Sequence, residues 1–123
     1  MANILSNPTR RVLERGLDVA SARHQILANN VANVDTPGFK RSGVDFAQAM
    51  ADAMKAADSH GQSVPSLRVV TEEATVLRND GNNVDIEREM AEIAENNLLF
   101  NALTQLLSQR YAQLRTVINE GRR

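Results

Sequence analysis

The sequence predicts a mainly α-helical protein whose long N- and C-terminal helices pack as an antiparallel, coiled-coil-like pair. Near both ends, apolar residues recur at alternating spacings of four and three, which is the spacing of a coiled-coil seam. Aromatic residues make up only 3% of the 123 residues, and helices that pack through Leu, Ile and Ala need few of them. Between the two ends, residues 35–84 show no sustained period. The chain is therefore expected to be one domain, 1–123, with an irregular middle region.

The N-terminal helix is predicted over residues 8–34. Asn7 is a suitable N-cap and Pro8 suits the first helical position. The helix would be roughly 40 Å long at the usual rise per residue. Its predicted packing seam contains one polar residue and consists of Leu13, Leu17, Ala20, His24, Leu27, Val31 and Val34.

The middle region, residues 35–84, begins with a turn and contains a short helix and a small β segment. The run VDFAQAMADAMKAA, residues 44–57, predicts the short helix because Phe46, Met50 and Met54 share one face. DSHGQSVPS, residues 58–66, is typical of a flexible linker. Residues 67–83 hold β-favouring side chains, which predict an extended segment or hairpin, and Asp80-Gly81 marks a turn.

The C-terminal helix is predicted over residues 85–120, with Asp85 as its cap and Gly121 as its end. A second apolar row, Leu99, Leu103, Leu106 and Val117, lies beside the seam, and one partner helix cannot cover both rows. The second row either contacts other subunits or widens the core of a closed bundle. The predicted seam is Ile86, Met90, Ile93, Asn97, Phe100, Thr104, Leu107, Tyr111, Leu114 and Ile118.

Composition disfavours several classes of function. The net charge of −1 offers no general attraction for nucleic acid. The absence of cysteine excludes disulfides, thiol catalysis and Cys-ligated zinc. The sequence shows no cleavable secretory signal and no apolar run long enough to span a membrane.

No residue pattern argues for an enzyme, a cofactor or a metal site. His60 lies in the predicted linker, and His24 in the helix seam is expected to be structural. The acidic residues near the start of the last helix are expected to be solvated, with Arg88 pairing with Glu92 one turn later. The run RNDGNN lacks the ligand spacing of a calcium loop and is interpreted as a turn that leads into a helix cap.

Three segments resemble the flagellar axial proteins, which form the rod, hook and hook-associated parts of the bacterial flagellum. The most specific is LANNVANVDTPGFKR, residues 27–41; RNDGNNVD, residues 78–85, is similar to the proximal rod type, and LLSQRYAQLRTVI, residues 106–118, to its C-terminal end. The middle region is short for the family, and the N-terminal tip lacks the phenylalanine associated with export, which leaves the export signal unassigned.

The resemblance implies a structural subunit of the proximal rod that assembles helically, with itself and other rod proteins, through its terminal helices. It implies further contacts with membrane-ring or rod-base adaptor proteins, export through the flagellar type III apparatus without a cleaved signal, and a location in the basal body, in the periplasmic space. A small helical adaptor or secretion chaperone that forms a closed bundle is the alternative.

The resemblance also implies which residues carry assembly. Pro37 ends the first helix and Gly38 permits a turn, so that this stretch becomes a joint between subunits, while Lys40 and Arg41 are either solvated or meet acidic neighbours. The expected interface residues are Asn29, Asn30, Asn33, Asp35, Thr36, Pro37, Gly38 and Phe39. The expected helix-packing residues are Leu13, Leu17, Leu27, Val31, Ile93, Phe100, Leu107, Leu114 and Ile118.

Overall fold

A computed structural model describes residues 7–59 and 63–122, and confirms a mainly helical fold with a small two-stranded sheet in the middle. The predicted linker lies partly outside these residues, since His60 falls in the gap, and the N-terminal tip also lies outside them. The elements in chain order are α1 (Pro8–Ala32), β1 (Ser42–Val44), α2 (Phe46–Asp58), β2 (Val69–Thr71) and α3 (Ile86–Glu120).

Helices α1 and α3 pack side by side in antiparallel directions. Near the end of α1, the Asn30 amide donates to Glu89 at the start of α3, at 3.1 Å. Near the start of α1, Glu14 accepts from the Tyr111 hydroxyl in the second half of α3, at 2.9 Å. The two terminal helices therefore form one long pair, as the two apolar seams predict.

The helix caps follow the sequence closely, with one difference. The side chains of Asn7 and Asp85 accept backbone N–H bonds at the starts of α1 and α3. However, α1 ends at Ala32, two residues before the predicted end at Val34. Asn33 caps it instead, because its side-chain amide donates to the carbonyl of Asn29 and competes with continuation of the helix.

The packing face of the pair is offset from the predicted seam. His24 and Asn97 were expected in the seam, yet both are exposed, and their neighbours Arg23 and Asn96 are buried instead. Apolar spacing alone could not locate the contact line, because the apolar arc of α3 is wider than one seam and polar residues occupy part of the true contact. The buried residues of the two helices are Gly16, Val19, Ala20, Arg23, Leu27, Asn30, Glu89 and Asn96.

Side chains of α2 and α3 both approach α1 at Gly16. A Cβ added there would lie 3.1 Å from a terminal carbon of Leu103 in α3 and 3.3 Å from the end of Met50 in α2. The absence of a side chain therefore lets α2 and α3 both approach α1 at one level. This contact holds α2 against the helix pair.

Strands β1 and β2 pair in antiparallel fashion, with Ser42 opposite Thr71 and Val44 opposite Val69. Because α2 lies between them in the chain, the pair is not a local hairpin. It joins the segment that follows the 28–41 stretch to the segment that precedes α3.

Candidate functional site

The turn after α1 is held by a buried asparagine from a distant part of the chain. A helix end leaves backbone carbonyls without intrahelical partners. Here the amide of Asn82, whose residue is fully buried, donates to the carbonyls of Asn33, Val34 and Thr36 at 2.9–3.0 Å. The Asn82 side-chain oxygen accepts from the backbone N–H of Val84 at 2.7 Å. One side chain thus fixes both the end of α1 and the approach to α3.

The same two segments also meet through their backbones. The N–H of Gly38 donates to the carbonyl of Asp80 at 2.9 Å, and the Arg78 guanidinium donates to the carbonyl of Val34 at 2.6 Å. Gly38 and Gly81 both have positive φ, 72° and 85°, which side chains resist. We call this set of contacts between residues 33–38 and 78–84 the clasp. The two motifs that the sequence singled out separately are therefore one structure.

Two further asparagines tie the clasp to the sheet. Asn30 holds Ser42 from both sides, donating to its carbonyl at 2.7 Å and accepting from its N–H at 3.0 Å. Asn83 accepts from the N–H of Arg41 at 2.7 Å and donates to the carbonyl of Glu72 at 2.6 Å. Each side-chain amide supplies the hydrogen-bond partner that a buried backbone group in an irregular segment would otherwise lack.

A buried charge cluster lies beneath the clasp, centred on Arg41, whose side chain is 3% exposed. Its guanidinium contacts three carboxylates: Glu89 at 2.5 Å, Glu72 at 2.7 Å and Glu92 at 3.3 Å. Arg88 binds Glu72 at 3.0 Å and Glu92 at 3.1 Å, the latter being the predicted pair one turn apart. Arg23 of α1 joins the cluster by contacting Glu92 at 3.7 Å, and it also contacts Glu95 at 3.3 Å.

The cluster favours the charged forms of Arg41, Glu72 and Arg88. Burial works against ionisation of Glu72, but hydrogen bonds and positive charge from Arg88 and Arg41 outweigh it and lower the pKa of that carboxyl. Burial likewise opposes the charge on Arg41, yet the hydrogen bond and charge of Glu89, with Glu92 and Glu72, raise the pKa of the guanidinium. The ion pairs therefore join the residue before β1 and the residue after β2 to α3.

The prediction that the acidic residues of α3 are solvated was wrong for Glu89, which is fully buried. Of the two options for the basic pair, Arg41 meets acidic neighbours, whereas the Lys40 ammonium donates to the carbonyl of Thr75 at 2.8 Å. Glu89 lies seven residues, about two helical turns, before the buried Asn96, so both lie on one face of α3, but no pattern in the sequence marks either as buried.

The expected interface residues fall into two groups. Asn30 and Asn33 bind groups within this chain, whereas Asn29, Asp35, Thr36, Pro37 and Gly38 are exposed and Phe39 is half-buried. Asp35 reaches Arg78 at 3.6 Å through an exposed pair.

The expected packing residues are also divided between the pair and the surface. Leu27 is buried, Phe100 and Ile118 are 41% and 57% exposed, and half-buried positions are Leu13, Leu17, Val31, Ile93, Leu107 and Leu114.

An exposed apolar line, which we call the stripe, runs along one side of α3. Its members follow the predicted seam, which therefore lies beside the intramolecular contact rather than at its centre. From the first member to the last it covers about 48 Å at the usual helical rise. The stripe consists of Ile86, Met90, Phe100, Tyr111 and Ile118, each 41–57% exposed.

The stripe borders a shallow groove between α1 and α3, lined by Ala20, Ser21, His24, Asn96, Asn97 and Phe100. The amide of Asn96 donates to the carbonyl of Ala20 at 2.8 Å, while its buried side-chain oxygen has no hydrogen-bond partner in the described chain. A buried acceptor without a partner is costly, so a donor that reached this groove from outside would be stabilised there.

The described residues contain no cluster of three or more side chains suited to a metal ion, and none of their helices combines the length and apolar content that crossing a bilayer requires. The clasp and the charge cluster hold the segments between the helices in fixed positions. The stripe leaves apolar side chains of α3 exposed. This arrangement suits a protein that holds a fixed shape and contacts other proteins.

Comparison with known proteins agrees with this description. Residues 11–40 match the family model described as flagella basal body rod protein. The chain is 29% identical to the flagellar basal body rod protein FlgB of Bacillus subtilis (strain 168), over 96% of the chain and 98% of that protein. It is 31% identical to FlgB of Borrelia hermsii over 85% of the chain and 90% of that protein. It is 26% identical to FlgB of Escherichia coli (strain K12) over 90% of the chain and 93% of that protein.

Proposed function

This chain belongs to the family of flagellar basal body rod proteins FlgB, and from that premise we propose that it assembles helically with other rod proteins through its terminal helices. As a family member it is a structural component of the basal body rod and not an enzyme. The family membership favours this function over that of an adaptor or secretion chaperone.

The observation that carries the proposal is the stripe on α3. In the single chain, five large apolar side chains along one helix remain 41–57% exposed, although α1 and α3 already bury a shared face. An aligned set of exposed large apolar side chains is typical of a protein-protein contact. Burying it against neighbouring copies or other rod subunits would supply the driving force for assembly. A contact between different surfaces of successive subunits produces a helical array when its rotation does not close into a ring.

The stretch at residues 28–41 contributes a second surface in this proposal. Its internal hydrogen bonds hold Asn30 and Asn33, which leaves Asn29, Asp35 and Pro37 exposed for contact with an adjacent subunit. Rod-base adaptor proteins and the flagellar type III export apparatus are further proposed partners. The proposed site of assembly is the periplasmic part of the basal body.

The test replaces a stripe residue near the middle of α3 and checks separately that the fold is retained. Phe100→Glu should retain the helical circular dichroism spectrum but abolish rod assembly and swimming in cells that lack the native protein. Gln105→Glu introduces the same charge at another exposed position of α3, outside the stripe, and should preserve swimming. Normal swimming with Phe100→Glu at the native expression level would contradict the proposal.

A further inference from the structure

The two outer edges of the small sheet differ. On β1, the backbone groups that face away from β2 are those of Ser42, and the Asn30 side chain binds both of them, the carbonyl at 2.7 Å and the N–H at 3.0 Å. The outer edge of β1 is therefore covered within the chain. Strand β2 has no such cover.

Strand β2 leaves its outward backbone groups unpaired. The N–H of Glu72 points to the β1 side, where it donates to the carbonyl of Arg41 at 2.9 Å. Since backbone groups of alternate residues in an antiparallel strand share a side, those of Val70 also face β1, and those of Val69 and Thr71 face away. Among the residues that the structure describes, no hydrogen bond from outside the β1–β2 pair reaches these outward groups. An edge of this kind is a template for another strand.

The side chains of β2 also suit a further strand. Val69 and Val70 are 50% and 51% exposed, and Thr71 is exposed as well. All three are β-branched, which favours strand pairing, and the strand contains neither a lysine nor a proline to discourage it. Its length of three residues limits the strength of the pairing, so the contact is expected to be weak.

Charges at the two ends of β2 favour a second copy in antiparallel orientation. Arg68 before the strand is exposed and makes no ion pair within the described residues, and Glu72 follows the strand. If two copies of Val70 face each other, Arg68 of each copy lies opposite Glu72 of the other, on the same face as Val70. Each Val69 then exchanges backbone hydrogen bonds with the Thr71 of the other copy. Parallel pairing in register would instead place like charges side by side, which is repulsive.

We propose that the free protein forms a weak two-fold dimer in which the open edges of β2 pair antiparallel, with Val70 at the axis and Arg68 opposite Glu72 on each side. The Glu72 side chain already binds Arg41 and Arg88 but remains 33% exposed, so a further cation can reach it. The two small sheets become one sheet of four strands. This contact goes beyond the proposed function, because it uses none of the stripe and, being two-fold, closes on itself.

Cysteine cross-linking tests the dimer, because the chain contains no cysteine of its own. Val70→Cys places two thiols opposite each other at the axis, at a non-hydrogen-bonded position where Cα atoms lie about 4.5 Å apart and a disulfide can form. Val69→Cys is the matched control, since its side chain is equally exposed but lies opposite Thr71. Its own copy lies on the diagonal, roughly 7–8 Å away, which is beyond the reach of a disulfide. With diamide as the oxidant, Val70→Cys should form disulfide-linked dimer on the order of tenfold faster than Val69→Cys.

A charge reversal tests the register. In the Val70→Cys background, Arg68→Glu puts a carboxylate opposite Glu72 on both sides of the axis and should slow cross-linking by about threefold or more. Arg115→Glu makes the same change at an exposed position of α3 and should leave the rate unchanged, and circular dichroism confirms that each variant folds. Equal rates for the two cysteine variants, or a rate that Arg68→Glu does not lower, overturn the dimer. Phe100→Glu should not alter the rate, so the dimer and the proposed function are tested separately.

Discussion

Replacing Glu89 by glutamine tests whether the charge cluster stabilises the fold. The substitution preserves size but removes the charge from a fully buried side chain that accepts from Arg41 and, at 3.1 Å, from Asn30. Arg41 is 3% exposed and cannot regain water, so it must rely on Glu72 and Glu92, which are only partly buried.

The expected loss follows from this geometry. Removing one partner of a buried ion pair typically costs about 3–5 kcal/mol. Since two carboxylates remain near Arg41, we expect a loss of about 2–4 kcal/mol in the free energy of unfolding. For a domain of this size, each kcal/mol lowers the melting temperature by roughly 4 °C, so the midpoint should fall by about 8–16 °C.

Thermal unfolding followed by circular dichroism measures this shift. Glu73→Gln makes the same chemical change at an exposed position and should alter stability by less than about 0.5 kcal/mol. If Glu89→Gln melted within about 2 °C of the wild type, the cluster would not be a major source of stability and the reasoning would fail.

Three further outcomes are expected. Asn82→Ala removes one donor from each of three turn carbonyls, all of which keep another donor, and leaves the buried Val84 N–H without its partner; it should destabilise the chain by about 1–3 kcal/mol, measured by urea unfolding. Gly16→Leu inserts a side chain where Leu103 and Met50 meet, and should cost about 3 kcal/mol or more, whereas Gly16→Ala should be nearly neutral because flexible side-chain ends can shift and helix propensity improves. The folded-state pKa of Glu72 lies below its ordinary 4.5, so its contribution is present above about pH 4.5 and is lost as the pH falls through the lowered pKa; Glu72→Gln should therefore show a smaller fall in stability on acidification.

Much of the helical fold could be predicted because its signals are local. Asn7 with Pro8, and Asp85 with the acidic first turn, mark the starts of two helices, and the structure places the helices there. The contact line was harder to predict. Leu99 and Phe100 are adjacent and both apolar, and nothing in the spacing shows that Leu99 is half-buried while Phe100 is 41% exposed.

The polar interior could not be predicted from the sequence, because its partners are far apart along the chain. Arg41 and Glu89 are separated by 48 residues, and no periodic pattern links them. Strand β1 is three residues long and includes Gly43, which has low strand propensity, so only its pairing with β2 reveals it. Asn30 was expected at a subunit interface, and Asn82 and Asn83 were expected in a turn, because their bonding partners depend on the tertiary structure.

The clasp has a consequence for the order in which the chain can fold. Three carbonyls in the turn after α1 accept hydrogen bonds from Asn82, which follows them by 46–49 residues. Asn30 donates to Glu89, which follows it by 59 residues. When the chain emerges N-terminus first, from a ribosome or another narrow passage, α1 lacks these partners until residues 82 and 89 have also emerged. An isolated helix of 25 residues that lacks its packing partner is only marginally stable in water. The first half of the chain is therefore not fixed in its folded conformation until the last third has emerged and packed against it.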